Sequence, residues 1–229
     1  MTPDVVFDIS LEHGRCLGLR IPADADAVEA LAERSLLGEE RALTSKVFPL
    51  RRRAWVGGRA ALRTVLARSG IEAPPILTDG RGAPIAPDGI AVSVSHKDSI
   101  AVALVARERV ARVGVDVELD VVHKTDLSSR VLADDELAEL AVYDARRRAR
   151  EVLLRFSAKE SVYKALDPFV RRYVGFKEVS VSTRASGDAL VNARLGPGEG
   201  PFAIDVRWRY FDGLVLTTAR VEPVPRSAA

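Results

Sequence analysis

The chain has 229 residues, of which 47% are hydrophobic and 29% charged, a composition typical of a folded globular protein with a sizeable core. The formal net charge of +2 excludes a general polyanion binder, and the single cysteine, Cys16, excludes an intrachain disulfide and a cysteine-based zinc cluster. The N-terminus lacks the features of a signal peptide, and no apolar run approaches the ~20 residues of a membrane span. We therefore expect a cytoplasmic protein with no membrane partner.

The first half of the chain is predicted to contain both strands and helices. Trp55, Leu62 and Val65 form an apolar stripe at helical spacing after Pro49, and Gly70 ends that helix. In chain order, the predicted elements are strands at residues 4–11 and 15–21, helices at 24–37, 39–43 and 50–66, a Pro- and Gly-rich loop at 73–89, strands at 90–95 and 100–106, and a turn at 96–99 between them.

The second half begins with an alternating strand and continues into helices. Asp134 is predicted to cap the first helix, and a continuous apolar stripe predicts a second from about residue 144 to 166, with Pro168 just past its end. Ser157 and Glu160 also fit a capping box, and the alternative is therefore a new helix that starts at Ser157. The predicted strands lie at residues 113–119, 179–183, 189–195, 202–210 and 214–221.

A weak internal repeat relates the two halves of the sequence. Residues 95–105 and 209–219 each read as a strand, an Asp-containing turn and an apolar strand. Each segment closes a half that also carries a helix with an apolar stripe. We therefore expect an α+β fold of two similar halves that meet near residue 112.

Two acidic residues lie close together on the alternating strand at 113–119. Asp116 and Glu118 are two apart, so their side chains share a face, where adjacent carboxylates repel unless solvent or a cation neutralises them. One interpretation is a solvated strand face. The other is a site for a hard cation such as Mg²⁺, which prefers carboxylate, water and phosphate oxygens. Glu160 could supply a third oxygen if the long helix crosses the strand.

Basic residues accompany these acids. Glu160 and Lys164 are one helical turn apart, a spacing at which a surface ion pair adds only about 0.2–0.5 kcal/mol. Taken singly, each basic residue is most simply an exposed or structural side chain. Together with the acids, they indicate a site for a multiply phosphorylated substrate, although the sequence contains no P-loop. The basic candidates are Arg51, Arg53, Arg59, Arg81, His96, Lys159 and Lys164.

Two segments resemble the paired signatures of 4′-phosphopantetheinyl transferases. Residues 113–118 contain G-[IV]-D-[IV]-E, and residues 156–164 fit [FW]-[SCT]-x-K-E-[SA]-x-x-K. Ser95-His96 and the loop at 80–84 match two further family motifs in the same order, although the loop departs from the usual G-K-P. The resemblance spans about residues 45–167, and the length is similar to that of the two-half class that serves polyketide, nonribosomal-peptide and siderophore pathways.

The resemblance implies an architecture as well as an activity. Two α/β halves, residues 1–112 and 113–229, would be related by pseudo-two-fold symmetry, with the active site in the cleft between them. The first half would contact the phosphates and adenine of coenzyme A. The second would carry the metal ligands, the catalytic helix and the carrier-protein contacts.

The resemblance also implies a role for each matching residue. Asp116, Glu118 and Glu160 would hold Mg²⁺, with Mn²⁺ as an alternative, against the pyrophosphate of coenzyme A. Glu160 would be the base for the serine hydroxyl of a carrier protein, directly or through a water, and Lys164 would stabilise or protonate the leaving 3′,5′-ADP. The resemblance also implies that His96 is catalytic, together with Glu160 and Lys164. The implied coenzyme A contacts are Arg51, Arg53, Arg59, Arg81, Ser95, His96, Lys159 and Lys164, with the register between Arg51 and Arg53 open.

The expected function is Mg²⁺-dependent transfer of 4′-phosphopantetheine from coenzyme A to a serine of an acyl or peptidyl carrier protein by a monomeric enzyme, with release of adenosine 3′,5′-bisphosphate. The enzymatic alternative is a Mg²⁺-dependent hydrolase of coenzyme A or a related nucleotide. The non-enzymatic alternative is a nucleic-acid-binding module that uses residues 51–63, which the near-zero net charge does not favour. We therefore expect no nucleic-acid partner.

Overall fold

A computed structural model of the protein describes residues 3–121 and 126–225. The chain divides into two compact units, Met1–Arg109, called unit 1, and Val110–Ala229, called unit 2. This division lies within a few residues of the boundary predicted at residue 112. No helix in the described ranges is both long and apolar enough to cross a membrane.

Unit 1 is a four-stranded antiparallel sheet with one long helix packed on it. The strand order is β1-β2-β4-β3, and α3 packs against β2 and β4, with α1 packed on α3. The elements are β1 (Val5–Leu11), β2 (Gly14–Arg20), α1 (Ala25–Ser35), α2 (Gly38–Thr44), α3 (Pro49–Arg68), β3 (Ile90–Lys97) and β4 (Ile100–Arg107).

The core of unit 1 follows from the apolar stripe of α3. Leu62 and Val65 are fully buried in this core, whereas Trp55 packs against it only partly. Pro49 occupies the first turn of α3, where its missing N–H leaves no bond unmade. His96 was predicted to lie in a turn, but it is on β3 and pairs with Ala101 of β4. The strand is longer than predicted because the turn needs only residues 98 and 99.

Unit 2 is a five-stranded antiparallel sheet that also carries one long helix. The strand order is β5-β9-β8-β7-β6, and α6 packs against β5 and β9. Two short elements, α4 and the 3₁₀ helix η1, were not predicted. The elements are β5 (Arg112–Leu119), α4 (Ser128–Val131), α5 (Asp134–Leu140), α6 (Ala145–Val170), η1 (Phe176–Glu178), β6 (Val179–Thr183), β7 (Asp188–Ala193), β8 (Phe202–Phe211) and β9 (Leu214–Pro223).

Helix α6 is continuous, which confirms that Ser157 does not start a new helix. Its N-cap is Asp144, whose carboxylate accepts a hydrogen bond from the Arg147 backbone N–H at 2.9 Å. The predicted end before Pro168 is wrong, because the helix continues to Val170 and stops where Arg171 adopts a left-handed conformation with φ 55°. A proline in the last turn removes one backbone hydrogen bond but does not interrupt a long run of them.

The repeated segments form equivalent hairpins, β3–β4 in unit 1 and β8–β9 in unit 2. Each turn begins with an aspartate in the left-handed region, Asp98 at φ 49° and Asp212 at φ 50°. Aspartate tolerates this conformation better than most residues because its short side chain can hydrogen-bond locally. The α+β class is confirmed, and each unit combines an antiparallel sheet with one long helix.

Candidate active site

The candidate site in unit 2 depends on a close approach between β5 and α6. A Cβ atom added to Gly114 would lie 1.8 Å from the carbonyl oxygen of Ser161, which is well inside any possible contact. Only glycine therefore allows the strand backbone to touch the helix backbone here. This contact brings together the strand that carries Asp116 and Glu118 and the helix that carries Glu160.

Asp116 is held by hydrogen bonds to both of its carboxylate oxygens. Its Oδ2 accepts from Ser157 Oγ at 2.8 Å, and its Oδ1 accepts from Lys164 Nζ at 2.8 Å. Thr217 continues the network, because its hydroxyl lies 3.0 Å from Ser157 Oγ and donates to the Ser157 carbonyl oxygen at 2.8 Å. The orientation of the Asp116 carboxylate is therefore fixed from two sides.

The strand face that bears the two acids is buried. Asp116 is 5% exposed and Glu118 is 7% exposed. This burial is inconsistent with the interpretation of a solvated strand face. Buried carboxylates are costly unless a cation or hydrogen-bond donors compensate them, so both acids need such partners.

Lys164 supplies part of that compensation. Besides its ion pair with Asp116, its Nζ donates to the carbonyl oxygen of Val115 at 2.9 Å. The lysine reaches β5 from α6, and its side chain remains 25% exposed. A cationic group is thus fixed beside the acids, in a position that solvent still reaches.

The charges of Lys164, Asp116 and Glu118 also act on Glu160. Burial is the largest effect and raises its pKa, Lys164 opposes this, and the charges of Asp116 and Glu118 raise the pKa further. Three mutually repelling carboxylates provide the oxygen donors and the negative charge that a hard cation requires. Within the described ranges, however, no three acidic, histidine or cysteine side chains already form a metal-binding group.

We expect Glu160→Gln to stabilise the metal-free protein at neutral pH, because a neutral amide avoids the burial penalty and the repulsion that raise the pKa of Glu160. The ionised form is penalised only in the folded state, so the penalty operates above the raised pKa and disappears below the ordinary value of about 4.3. Melting temperatures in EDTA should therefore show an advantage of the variant at neutral pH that shrinks as the pH falls.

Glu33→Gln, at an exposed position of α1, is the matched control and should leave the Tm near that of wild type. A Glu160→Gln protein that is less stable than wild type at neutral pH would contradict the expected burial of charge.

Lys159 occupies a different environment from the one predicted. It is 2% exposed, and its ammonium donates to the carbonyl oxygens of Val131 at 2.8 Å and Phe176 at 3.0 Å, and to the Glu136 carboxylate. Burial lowers its pKa, and Glu136 opposes that shift. A phosphate contact would require Lys159 to give up one of these acceptors, so the role predicted for it is at odds with this arrangement.

Unit 1 contains the other predicted cations, and Arg59 is the most unusual of them. It is 3% exposed, stacks on Trp55 at 5.2 Å and donates from one Nη to the Thr78 hydroxyl at 2.7 Å. The second Nη is buried and has no hydrogen-bond partner among the described residues. Burial lowers the pKa of Arg59 to about 10. A buried guanidinium with an unused donor is suited to an anionic ligand.

The two neighbouring arginines of α3 differ in availability. Arg53 is half-buried and donates to the carbonyl oxygens of Pro22 at 2.6 Å and Ile21 at 3.2 Å. The Arg51 side chain is exposed and forms no hydrogen bond or ion pair with any described residue. Of the two, Arg51 is therefore the one whose charge is available to a ligand.

The remaining predicted contacts lie on a loop and a strand of unit 1. Asp79 closes the loop, because its carboxylate accepts from the backbone N–H groups of Arg81 at 2.9 Å and Ala83 at 2.8 Å. Arg81 is exposed on this loop. Ser95 is buried and His96 is exposed on β3, so the two adjacent side chains point to opposite faces of the sheet.

Gly114, Ser157 and Thr217 were not among the predicted site residues. The first two lie within the recognised motifs, where the sequence gives their positions but not their contacts. Thr217 gave a weaker signal, because it is a polar residue directly after the apolar start of β9. The structure shows that it is fully buried. A buried hydroxyl group needs a hydrogen-bond partner, and the partner of Thr217 is Ser157, which also binds Asp116.

Comparison with known proteins extends the motif resemblance to most of the chain. The family model of the 4′-phosphopantetheinyl transferase N-terminal domain matches residues 39–106, and that of the 4′-phosphopantetheinyl transferase superfamily matches residues 112–219. The 4′-phosphopantetheinyl transferase Npt of Nocardia iowensis is 32% identical over 193 residues, covering 78% of this chain and 86% of that protein. The 4′-phosphopantetheinyl transferase Svp of Streptomyces mobaraensis is 32% identical over 193 residues, covering 81% of this chain and 78% of that protein.

Among solved structures, a holo-(acyl-carrier-protein) synthase of Bacillus anthracis in complex with CoA (3′,5′-ADP) matches with a TM-score of 0.41. The sequence identity is 17%, and the match covers 49% of this chain and 96% of that chain.

Proposed function

Because the chain belongs to the 4′-phosphopantetheinyl transferase superfamily, we propose that it transfers 4′-phosphopantetheine from coenzyme A to a serine of a carrier protein in a Mg²⁺-dependent reaction. Family membership confirms the resemblance that the motifs predicted. The observation that best supports the proposed chemistry is the grouping of Asp116, Glu160 and Lys164 at the contact between β5 and α6.

The proposed metal ligands are Asp116, Glu118 and Glu160. Their oxygen donors and mutual repulsion suit Mg²⁺, which when bound would neutralise charge on the pyrophosphate oxygens of coenzyme A. Ser157 holds one oxygen of Asp116 in place, so the carboxylate is oriented before any ligand binds. Lys164 is bonded to the other oxygen and can turn toward a phosphate, because its side chain is partly exposed.

The proposed reaction is a displacement at the β-phosphorus of coenzyme A, the phosphorus that carries the pantetheine group. The serine oxygen forms a new bond to this phosphorus while its proton passes to Glu160, directly or through a water. The bond to the bridging oxygen breaks, and adenosine 3′,5′-bisphosphate leaves with the electron pair. Lys164 stabilises or protonates that leaving group. The raised pKa of Glu160 favours its use as a base.

Unit 1 would supply the contacts to the phosphates of coenzyme A. Arg59 offers a buried donor and Arg51 an exposed charge, and both suit a terminal phosphate. Ser95, His96 and Arg81 are proposed to contact the other phosphates. Arg53 and Lys159, the remaining predicted contacts, are bonded to protein acceptors, and we assign them no phosphate contact here.

We expect Arg59→Met and Arg51→Ala to reduce the preference for coenzyme A over 3′-dephospho-coenzyme A. Each change removes a donor proposed for the 3′-phosphate, and a charge-assisted hydrogen bond contributes about 1.5–3 kcal/mol, or roughly 10- to 150-fold in kcat/KM. Kinetics with both substrates would measure the preference. Arg52→Ala is the control, because Arg52 pairs with Glu29 on the surface of unit 1.

If all three variants keep the wild-type preference, the 3′-phosphate binds elsewhere. A loss in Arg51→Ala alone would assign the 3′-phosphate to the exposed start of α3, and would leave Arg59 as a structural residue.

The carrier-protein contacts are proposed in unit 2. Val131 and Leu132, which precede α5, are 1% and 0% exposed and belong to the core, so they offer no surface to a carrier protein. Phe169 and Val170 pack partly against the core. Tyr173 is 66% exposed and lines a cavity that Glu160 also lines, so it is the better candidate.

Mass spectrometry tests the proposed function. Apo carrier proteins from several pathways are incubated with coenzyme A and Mg²⁺, with Mn²⁺ in a parallel reaction. The expected result is the mass gain of one phosphopantetheine on serine, which Glu160→Gln should prevent. Release of free phosphopantetheine without a carrier would favour the hydrolase alternative, and no change with any carrier would refute the transfer.

The nucleic-acid alternative is not favoured by the contacts of α3. Arg53, Arg59 and Arg63 donate to acceptors within unit 1, so the arginines at 51–63 do not form a continuous basic surface. A nucleic-acid site would require such a surface and would show strong dependence on salt.

A further inference from the structure

Lys159 connects three separate segments of unit 2 through one buried ammonium group. Its acceptors are the carbonyl oxygen of Val131 at the end of α4, the carboxylate of Glu136 on α5 and the carbonyl oxygen of Phe176 in η1. The ammonium has three N–H donors, and each has an acceptor. A buried lysine whose three donors all bond to protein acceptors holds parts of the protein together and has no donor left for a ligand.

Glu136 is equally occupied. It is 2% exposed, and besides Lys159 it accepts hydrogen bonds from the backbone N–H groups of Ala133 at 2.7 Å and Val181 at 2.9 Å. It therefore caps α5, binds strand β6 and neutralises Lys159 at the same time. Three donors from different segments hold the Glu136 carboxylate in one position.

Unit 1 contains the same arrangement on its own short helix. Glu40 of α2 is fully buried, accepts from the backbone N–H groups of Leu37 and Ile76, and pairs with Arg63 of α3 at 2.9 Å. Arg63 also donates to the carbonyl oxygens of Ala73 and Pro74, both at 2.7 Å. Its partners are thus one carboxylate and two backbone carbonyls, as for Lys159.

The positions on the two long helices also correspond. In each helix, a buried arginine precedes the paired cation by four residues, Arg59 before Arg63 and Arg155 before Lys159. The residue that follows the cation is Thr64 in unit 1 and Glu160 in unit 2. The buried pair is therefore common to both units, and the acid beside it is present only in unit 2.

We infer that Lys159 is a positioning residue that, through Glu136 and the two carbonyl oxygens, fixes helix α6 and the Phe176 segment around Glu160. This inference rests on the proposed function for the role of Glu160. Lys159 and Glu160 are adjacent on α6, so the bonds of Lys159, called the anchor, restrict rotation of the helix at the point that carries Glu160. Lys159 and Glu160 also line a cavity of about 40 Å³ with Tyr173 and Phe176, so the anchor fixes two of its walls.

A double-mutant cycle with Lys159→Met and Glu136→Gln tests the pair. Each single variant removes one member of the pair and leaves the other buried, Lys159 with only carbonyl acceptors or Glu136 with Arg155 at 4.0 Å, and is expected to lower the Tm by on the order of 10 °C. The fall in Tm of the double variant should be clearly smaller than the sum of the falls in the two single variants, because neither charge of the pair then remains. Lys177→Met, at an exposed position of η1, is the matched control and should leave the Tm unchanged.

The assignment of a positioning role depends on function as well as stability. Well below its Tm, Lys159→Met should bind coenzyme A with unchanged stoichiometry and a Kd within about twofold of wild type, while kcat falls about 10-fold or more. A merely structural role would lower the binding stoichiometry along with kcat. The double variant should keep the low kcat, because it also lacks the bonds to Val131 and Phe176.

Two results would overturn the inference. If Lys159→Met weakens coenzyme A binding about 10-fold at unchanged Tm, Lys159 is a phosphate ligand. If kcat returns in the double variant together with the Tm, Lys159 only stabilises the fold. Failure of the proposed function is recognised separately, because wild-type protein would then modify no carrier, while the Tm cycle would still report on the pair.

Discussion

Gly114→Ala is expected to abolish carrier modification and to lower the Tm by more than about 10 °C. The added Cβ would lie 1.8 Å from the carbonyl oxygen of Ser161, and both are backbone positions that cannot rotate away. The helix must move away from β5, and the separation between Asp116 and Glu160 increases with it. Displacements of this size are costly for catalysis.

Gly38→Ala is the matched control, because a Cβ added at Gly38 meets no atom within 4 Å and alanine is the better helix former. Thermal unfolding and the carrier assay would be measured on both variants. A Gly114→Ala protein with wild-type Tm and activity would mean that α6 and β5 are not in backbone contact.

Asp116→Ala is expected to reduce transfer by about 10²–10³ or more, because it removes a proposed metal ligand at the site of charge development. It should also destabilise the metal-free protein, in contrast to what an exposed pair of acids would predict. Asp116 is buried and accepts from Ser157 and Lys164, so truncation removes one buried acceptor from each, although Lys164 keeps its bond to the Val115 carbonyl oxygen. A lost buried acceptor costs about 1–3 kcal/mol.

The measurements are single-turnover transfer and the Tm in EDTA, with Ser157→Ala as the comparison. Ser157→Ala removes one hydrogen bond to Asp116 but keeps the carboxylate, so its rate should lie between those of wild type and Asp116→Ala. If Asp116→Ala transfers phosphopantetheine at a near-normal rate, Asp116 is not part of the mechanism.

Periodicity was sufficient to predict most of the elements. The strands of both sheets and helices α1, α3 and α6 have clear spacing of apolar residues, and each was predicted to within a few residues. The short elements α4 and η1 were missed because they have too few residues to show a period. The end of α6 was predicted too early, because Pro168 was expected to stop the helix but lies within its last turn.

The candidate site was only partly readable from the sequence. The motif places Asp116, Glu160 and Lys164 on elements that pack together, as predicted. It could not distinguish Lys159 from Lys164, because the two are five residues apart on one helix and only the tertiary structure shows which ammonium is buried. The partner of Lys159 is Glu136, a residue outside every motif, so no local pattern indicated it.

The bond between Glu136 and Val181 has a consequence for self-association. Strand β6 lies at the edge of its sheet, and an edge strand presents N–H groups that can recruit a strand from another molecule. Glu136 already accepts the Val181 N–H at 2.9 Å, so α5 blocks this position with a charged side chain. If α5 leaves its place, the Val181 N–H becomes available to a strand of another molecule.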